Sequence, residues 1–199
     1  MLYPSLTWRI PTRQSELYLT FDDGPVPGPT EFVVDTLREF NAVATFFCIG
    51  DNVRKYPDVL QKIAEGGHQI GNHTFHHLKG WSTRTSAYIQ DIQQCSEELM
   101  SKLQQRPSML FRPPYGRITR RQIKALPSYR VVMWDVLTMD YNARLDKDRC
   151  LRNAINASRS GSIVVFHDSL KADKNLRYVL PKFLEHFASR GFVFKPVPE

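Results

Sequence analysis

Two hydrophobic periods alternate along this chain. Short runs of continuous apolar residues give way to longer stretches in which apolar positions recur every three or four residues. The first pattern belongs to strands buried on both faces, the second to amphipathic helices. Read in order, the pattern predicts strands over Glu16–Phe21, Val43–Ile49, His68–Gly71, Met109–Arg112, Tyr129–Asp135, Ser162–His167 and Phe192–Lys195. Helices are predicted between them, over Thr30–Phe40, Asp51–Glu65, Ser86–Leu103, Arg120–Leu126, Lys147–Ser158 and Asn175–Ser189. The clearest stripe is Tyr88, Ile92, Cys95, Leu99 and Leu103. Asn41 suits the left-handed end of the first helix, Gly66–Gly67 ends the second, and Pro113–Pro114 stops the fourth strand. Met1–Gln14, broken by Pro4 and Pro11, reads as an irregular entry.

Strands interleaved with helices, without a Gly-x-Gly-x-x-Gly turn, fit an α/β parallel barrel better than an open dinucleotide-binding sheet. The 199 residues suit a single domain spanning 1–199. No repeat, low-complexity segment or linker interrupts them.

Composition adds limits. Hydrophobic residues are 42% and aromatic residues 12% of the chain, enough for a sizeable core. Twenty-seven Lys and Arg against 20 Asp and Glu leave +7, spread out rather than tracted and densest over Arg117–Lys124 and Lys171–Arg177. Such an excess favours a solvated basic surface or an anionic polymer; no nucleic-acid motif accompanies it. Cys48, Cys95 and Cys150 are far apart, so neither a disulfide framework nor a zinc knuckle is expected. No apolar run approaches membrane-spanning length, and Met1–Thr12 lacks the long apolar stretch of a secretory signal. The expectation is a soluble protein, cytoplasmic by default, or extracytoplasmic if a signal was removed.

Polar clusters follow the strands on one side, where a β/α barrel does its chemistry. Asp22 and Asp23 end the first strand before Gly24–Pro25. One acid can hold a metal while the other handles protons; the plainer alternative is an Asp-rich turn. Asn72 to His77 carries three of the six histidines. If that segment starts a helix, His73 and His77 share a face and can grip one cation, with Asp23 completing a His-His-Asp set; His76 points away. Arg112, before two prolines, can fork onto a carboxylate across the barrel, and the stiff Pro-Pro-Tyr115 backbone can aim an amide at an oxyanion. His167 ends an apolar strand together with Asp168; a satisfied core imidazole is the plain reading, a general acid oriented by Asp140 the functional one. Trp81, Trp134 and Tyr141 are core aromatics or platforms for a sugar ring.

Thr20-Phe21-Asp22-Asp23-Gly24-Pro25, His73-Thr74-Phe75-His76-His77, Arg112-Pro113-Pro114-Tyr115, Asp140-Tyr141 and Val165-Phe166-His167 stand in the order of five motifs. In this the chain resembles the polysaccharide deacetylases, carbohydrate esterase family 4, over about residues 16–195. The resemblance implies a distorted (β/α)7 barrel that removes N- or O-acetyl groups from polymers such as chitin, peptidoglycan or acetylxylan. It implies a divalent metal on Asp23, His73 and His77, with zinc first and cobalt, nickel or iron also suited. It implies Asp22 as general base oriented by Arg112, the Tyr115 amide at the oxyanion, and His167 as general acid tuned by Asp140. Two departures touch the wall of the acetyl pocket: Tyr141 stands where Trp is usual, and Val165 where Leu is usual. Tyr115, Tyr141, Trp134 and Val165 are the expected substrate contacts. The expected partner is an acetylated glycan, with no nucleic acid and no membrane span; the oligomeric state is open. Two rivals remain at this stage, a carbohydrate-binding barrel without chemistry and a metal-dependent amidohydrolase for a small acylated substrate. The segment Leu78–Thr85, with Trp81, is where an open groove and a closed lid would differ.

Overall fold

Alternation of side chains along β1 (Glu16–Asp22) organises the molecule. Leu17, Leu19 and Phe21 belong to one apolar cluster, packed with helical residues such as Val33, Leu37, Leu60 and Phe183. Tyr18 belongs to another, with Phe47, Leu110, Val132 and Ile163. Odd residues of β1 therefore face the surrounding helices, and even residues face the inside of a curled sheet. In a computed structural model of the protein, residues 6–103 and 107–199 are described. The beginning of the irregular entry, including Pro4, lies outside them.

After β1 come α1 (Pro29–Glu39), β2 (Thr45–Cys48), α2 (Gly50–Lys55), α3 (Pro57–Glu65), β3 (Gln69–Asn72) and α4 (Thr85–Lys102). There follow β4 (Leu110–Phe111), α5 (Arg120–Lys124), β5 (Arg130–Val131), β6 (Val136–Leu137), α6 (Lys147–Ala157), β7 (Ile163–His167), α7 (Asp173–Ala188) and β8 (Val193–Phe194). The sheet runs β5-β4-β3-β2-β1-β7-β6, with β8 paired to the start of β1. Each of these pairs is parallel, so the C-terminal ends of β1 to β7 open toward one rim, while the short β8 lies beside the start of β1. Single-domain α/β architecture with a curled, barrel-like parallel sheet is what the hydrophobic pattern and the family resemblance led one to expect. No helix among the described residues is long and apolar enough to cross a membrane.

The fifth strand, predicted over Tyr129–Asp135, forms as β5 over Arg130–Val131 alone, and β6, just past its predicted end, is a strand the sequence did not show. β5 pairs with β4, and the chain then swings across so that β6 pairs with β7; one passage thus touches both edges of the sheet. Thr7 reinforces this seam: its N–H donates to Val131 O, and its carbonyl accepts from Met133 N. The entry segment is thus ordered at that point by borrowed strand pairing rather than irregular. The Asp135 carboxylate completes the seam by accepting from Ile163 N at 2.8 Å and Ser162 Oγ at 2.9 Å. The helix expected over Asp51–Glu65 is two helices. Proline at 57 restricts the residue before it, and Tyr56 leaves the helical region at φ −130° and ψ 56°.

Asn41 has φ 50°, and Gly67, just past α3, has φ 72°, as the sequence suggested for helix ends. Cys48, Cys95 and Cys150 are all free and buried. Phe183 of α7 is fully buried, with its ring 5.6 Å from Phe166 and 4.8 Å from Phe187. Phe183→Ala should therefore cost roughly 3–5 kcal/mol in urea unfolding; a loss below about 1 kcal/mol would contradict this packing.

Candidate active site

The last inward-facing residues of β1 and β7 are Asp22 and His167, and the register pairs them directly. Beneath them the barrel is filled by Arg112, whose side chain is fully buried. Its Nη1 donates to Asp22 Oδ1 at 2.7 Å and to Thr20 Oγ1 at 2.6 Å. Nη2 and Nε donate to the carbonyls of Met133 and Val132, at 2.9 and 3.3 Å. The guanidinium also lies 4.3 Å above the Phe47 ring and 5.7 Å from that of Trp134. Burial pulls the Arg112 pKa below its ordinary value, and Asp22 opposes this. A charge without water persists in such a place only when paired and hydrogen-bonded.

Asp23 follows with φ 83°, a left-handed conformation that turns the chain at the rim. Its carbonyl accepts from Asn52 Nδ2 at 2.7 Å. Asp23 Oδ1 stands 3.3 Å from His77 Nε2 and 3.8 Å from His73 Nε2. Burial would push Asp23 up, but the His77 contact and the nearby His167 and His73 outweigh it and hold the carboxyl at about 2.

Asn72 to His77 does not start a helix. Asn72 ends β3, and residues 73–77 are an open loop in which Thr74 and His77 are left-handed, at φ 63° and 55°. The two imidazoles still meet, their ring centres 5.2 Å apart, because backbone turns replace the helical repeat. His73 Nδ1 lies 2.7 Å from Arg112 O. The carbonyl can only accept, so Nδ1 carries the proton and Nε2 presents its lone pair toward Asp23. Burial holds the His73 pKa down at about 4, which keeps the ring neutral. His76 turns away, as expected, onto Asp91.

Asp23, His73 and His77 offer donor atoms that all lie within 4.8 Å of one another. Two imidazole nitrogens and one carboxylate, with a carbonyl fixing the tautomer of one ring, fit a divalent cation. Among the described residues this is the one His/Cys/Asp/Glu group so disposed.

His167 has a different partner. Its Nδ1 lies 2.7 Å from Asp140 Oδ1, and its backbone N–H donates to Oδ2 at 2.8 Å. Asp140 is fully buried and also accepts from Tyr141 N. Burial would lower the His167 pKa, but Asp140, helped by Asp23 and Asp22, outweighs it and raises it to about 9.

The cleft above these groups encloses about 480 Å³ and is walled by Trp134, Leu137, Tyr141 and Val165. Tyr115 stands at its mouth, exposed, with its ring 4.7 Å from His77 and φ 60°. Arg117 and Lys171 also line it and were not singled out from the sequence as site residues. Trp81 lies outside this lining, 57% exposed, with its indole N–H donating to Ile118 O and Arg117 over its ring. A larger hollow of about 840 Å³ lies at the other end of the strands, near the Glu31–Lys62 pair, away from all these groups.

Two buried carboxylates behind the site received no role from the sequence. Asp91 sits on the apolar stripe of α4, one turn from Tyr88 and Cys95, where a charge must find partners; that was the available signal. Asp168 follows the final strand residue, and only its contacts in the fold mark it.

Comparison with known proteins places this geometry. Residues 9–134 match the family model described as polysaccharide deacetylase. A chitooligosaccharide deacetylase of Azorhizobium caulinodans is 34% identical over 211 aligned positions, covering 96% of either chain. A peptidoglycan-N-acetylglucosamine deacetylase of Bacillus cereus is 34% identical over 161 residues, 80% of this chain but only 58% of that protein's length. The crystal structure of a peptidoglycan N-acetylglucosamine deacetylase, bound to a naphthyl N-hydroxybenzamide, superposes with a TM-score of 0.92 at 30% identity, covering 98% of this chain and 91% of the other. This chain belongs to the polysaccharide deacetylase family.

Proposed function

We propose that the protein is a metal-dependent hydrolase that removes acetyl groups, N-acetyl in the first place, from an acetylated glycan. The observation that carries this reading is the pairing of Asp22 with His167 across β1 and β7, beside the Asp23-His73-His77 trio. A proton acceptor and a proton donor thus flank one cation-binding set on one rim. The relatives named for peptidoglycan-N-acetylglucosamine and chitooligosaccharide deacetylation support an N-acetylated glycan as the substrate class.

Asp23, His73 and His77 would hold the ion, which supplies Lewis acidity to the acetyl carbonyl. Zinc fits this donor set; cobalt, nickel and iron suit it as well. Asp22, held in one orientation by Arg112, takes a proton from the attacking water. The Tyr115 main chain, in its left-handed turn after Pro113 and Pro114, offers an amide to the developing oxyanion. An amine leaves only when protonated, and His167 donates that proton from the nitrogen that Asp140 does not occupy. Trp134, Leu137, Tyr141 and Val165 enclose the acyl group and exclude bulk water. The filled acid, base and ligand positions weigh against a barrel that merely binds sugar. Acetate release from chitooligosaccharide, peptidoglycan and acetylxylan, with a small acylated amine as control, decides among the substrates.

Asp22→Asn keeps the shape and removes the base. Turnover should fall by about 10²- to 10⁴-fold with metal content unchanged; near-normal turnover refutes the assignment. His73→Ala combined with His77→Ala should abolish tight metal uptake in elemental analysis of folded protein, and full metal content in that variant would remove the site. Asp140→Asn withdraws the charge that raises His167 and leaves burial, which lowers it, less opposed. The protonated acid is then lost at lower pH. The alkaline limb of the kcat/KM profile should move toward acid, and an unmoved limb would detach Asp140 from His167.

A further inference from the structure

Two loops bring the ion's ligands together, and each is tied to a carboxylate that touches no ligand side chain. In the loop after β3, Asp91 Oδ1 accepts Phe75 N at 2.8 Å and His76 N at 3.0 Å, while Oδ2 meets His76 Nδ1 at 2.5 Å. These amides lie between His73 and His77 in the chain. Asp91 is 6% exposed and belongs to α4, so it fixes the loop to a rigid helix. In the loop after β1, Asp168 Oδ1 accepts Gly24 N at 3.0 Å, and Oδ2 accepts Thr30 Oγ1 at 2.6 Å. Thr30 Oγ1 in turn accepts Val26 N at 2.8 Å. Asp168 N donates to Asp22 O at 3.1 Å, so one fully buried residue joins β7, the Asp22–Asp23 turn and the start of α1. The approach is close: a Cβ on Gly24 would stand 2.0 Å from Asp168 Oδ2.

We propose that Asp91 and Asp168 are positioning residues for the ion: through main-chain amides they set where Asp23 stands relative to His73 and His77. The proposal rests on the metal-site reading given above. What each carboxylate supplies is hydrogen-bond acceptors aimed at N–H groups, since neither stands among the ion's donor atoms. An asparagine oxygen can accept the same amides, and its nitrogen can meet His76 Nδ1 or Thr30 Oγ1 with a changed tautomer or hydroxyl rotamer. Alanine leaves the amides of Phe75, His76 and Gly24 without that partner, and the loops lose their fixed separation.

The test is zinc titration against a competing chelator for the parent chain and for Asp91→Ala, Asp91→Asn, Asp168→Ala and Asp168→Asn, with thermal unfolding in EDTA as the check on folding. The alanine variants should bind zinc about 10- to 100-fold more weakly. The asparagine variants should stay near the parent, and acetate release by Asp91→Ala should recover as zinc is raised. An alanine variant that unfolds like the parent and binds zinc equally well overturns the proposal. So does a folded asparagine variant that loses as much affinity as alanine, because charge rather than acceptor geometry would then matter; this arm decides even if an alanine variant does not fold. A parent chain that takes up no zinc overturns it together with the metal site. The expected order of zinc affinities without any acetate release would support it and refute the deacetylase reading alone.

Discussion

A guanidinium sealed inside a barrel is the constraint that the remaining structure satisfies. Arg112 has no access to solvent, so each of its donors must find an acceptor within the fold. Thr20 and Asp22 supply two from β1, and the carbonyls of Val132 and Met133 supply others from the seam. These partners come from an interior strand of the sheet and from the passage that joins its two edges. Satisfying Arg112 therefore draws the passage after β5 toward β1 and fixes Asp22 at a single height on the rim. Were that passage displaced, a buried cation would lose two acceptors at once, a penalty far greater than that of a frayed surface pair.

The site uses one residue type in two ways by altering what stands behind it. His73 is walled from water, and burial favours the neutral ring even though the carbonyl behind it pulls the other way. His167 is backed by a carboxylate, and the charged ring is favoured despite its burial. One imidazole of the cleft is thereby suited to lending a lone pair and another to giving up a proton. Burial presses both rings toward neutrality; the carboxylate 2.7 Å behind His167 Nδ1 overcomes it, and the carbonyl 2.7 Å behind His73 Nδ1 does not.

The order of strands and helices was largely legible because burial on both faces gives β1 a short apolar run and burial on one face gives α4 an apolar position every three to four residues. The residues that converge were legible as well, since chemistry at strand ends follows from a parallel barrel. Local geometry was harder to read. His73 and His77 have helical spacing, yet a loop brings them together, because left-handed Thr74 and His77 achieve by turning what a helix achieves by winding. No rule of propensity assigns φ 63° to a threonine. The two-residue strands β5 and β6 carry too few positions to show a period, and their partners lie far away in sequence. Pro57 is a helix break visible in the sequence, lying inside the span Asp51–Glu65 that the apolar stripe made look continuous. Asp91 could be suspected from its place on a buried stripe, whereas Asp168 becomes meaningful only once Gly24 is folded against it.

Arg112 serves the site through two separate parts of itself. Its side chain orients Asp22, while its carbonyl sets the proton on His73. Exchange of the side chain reaches only the first of these, since any amino acid at this position retains a carbonyl. The residue is thus a junction whose polymer half is encoded by the path of the backbone and whose chemical half is encoded by its codon, so sequence variation at position 112 can rewrite one half and leaves the other untouched.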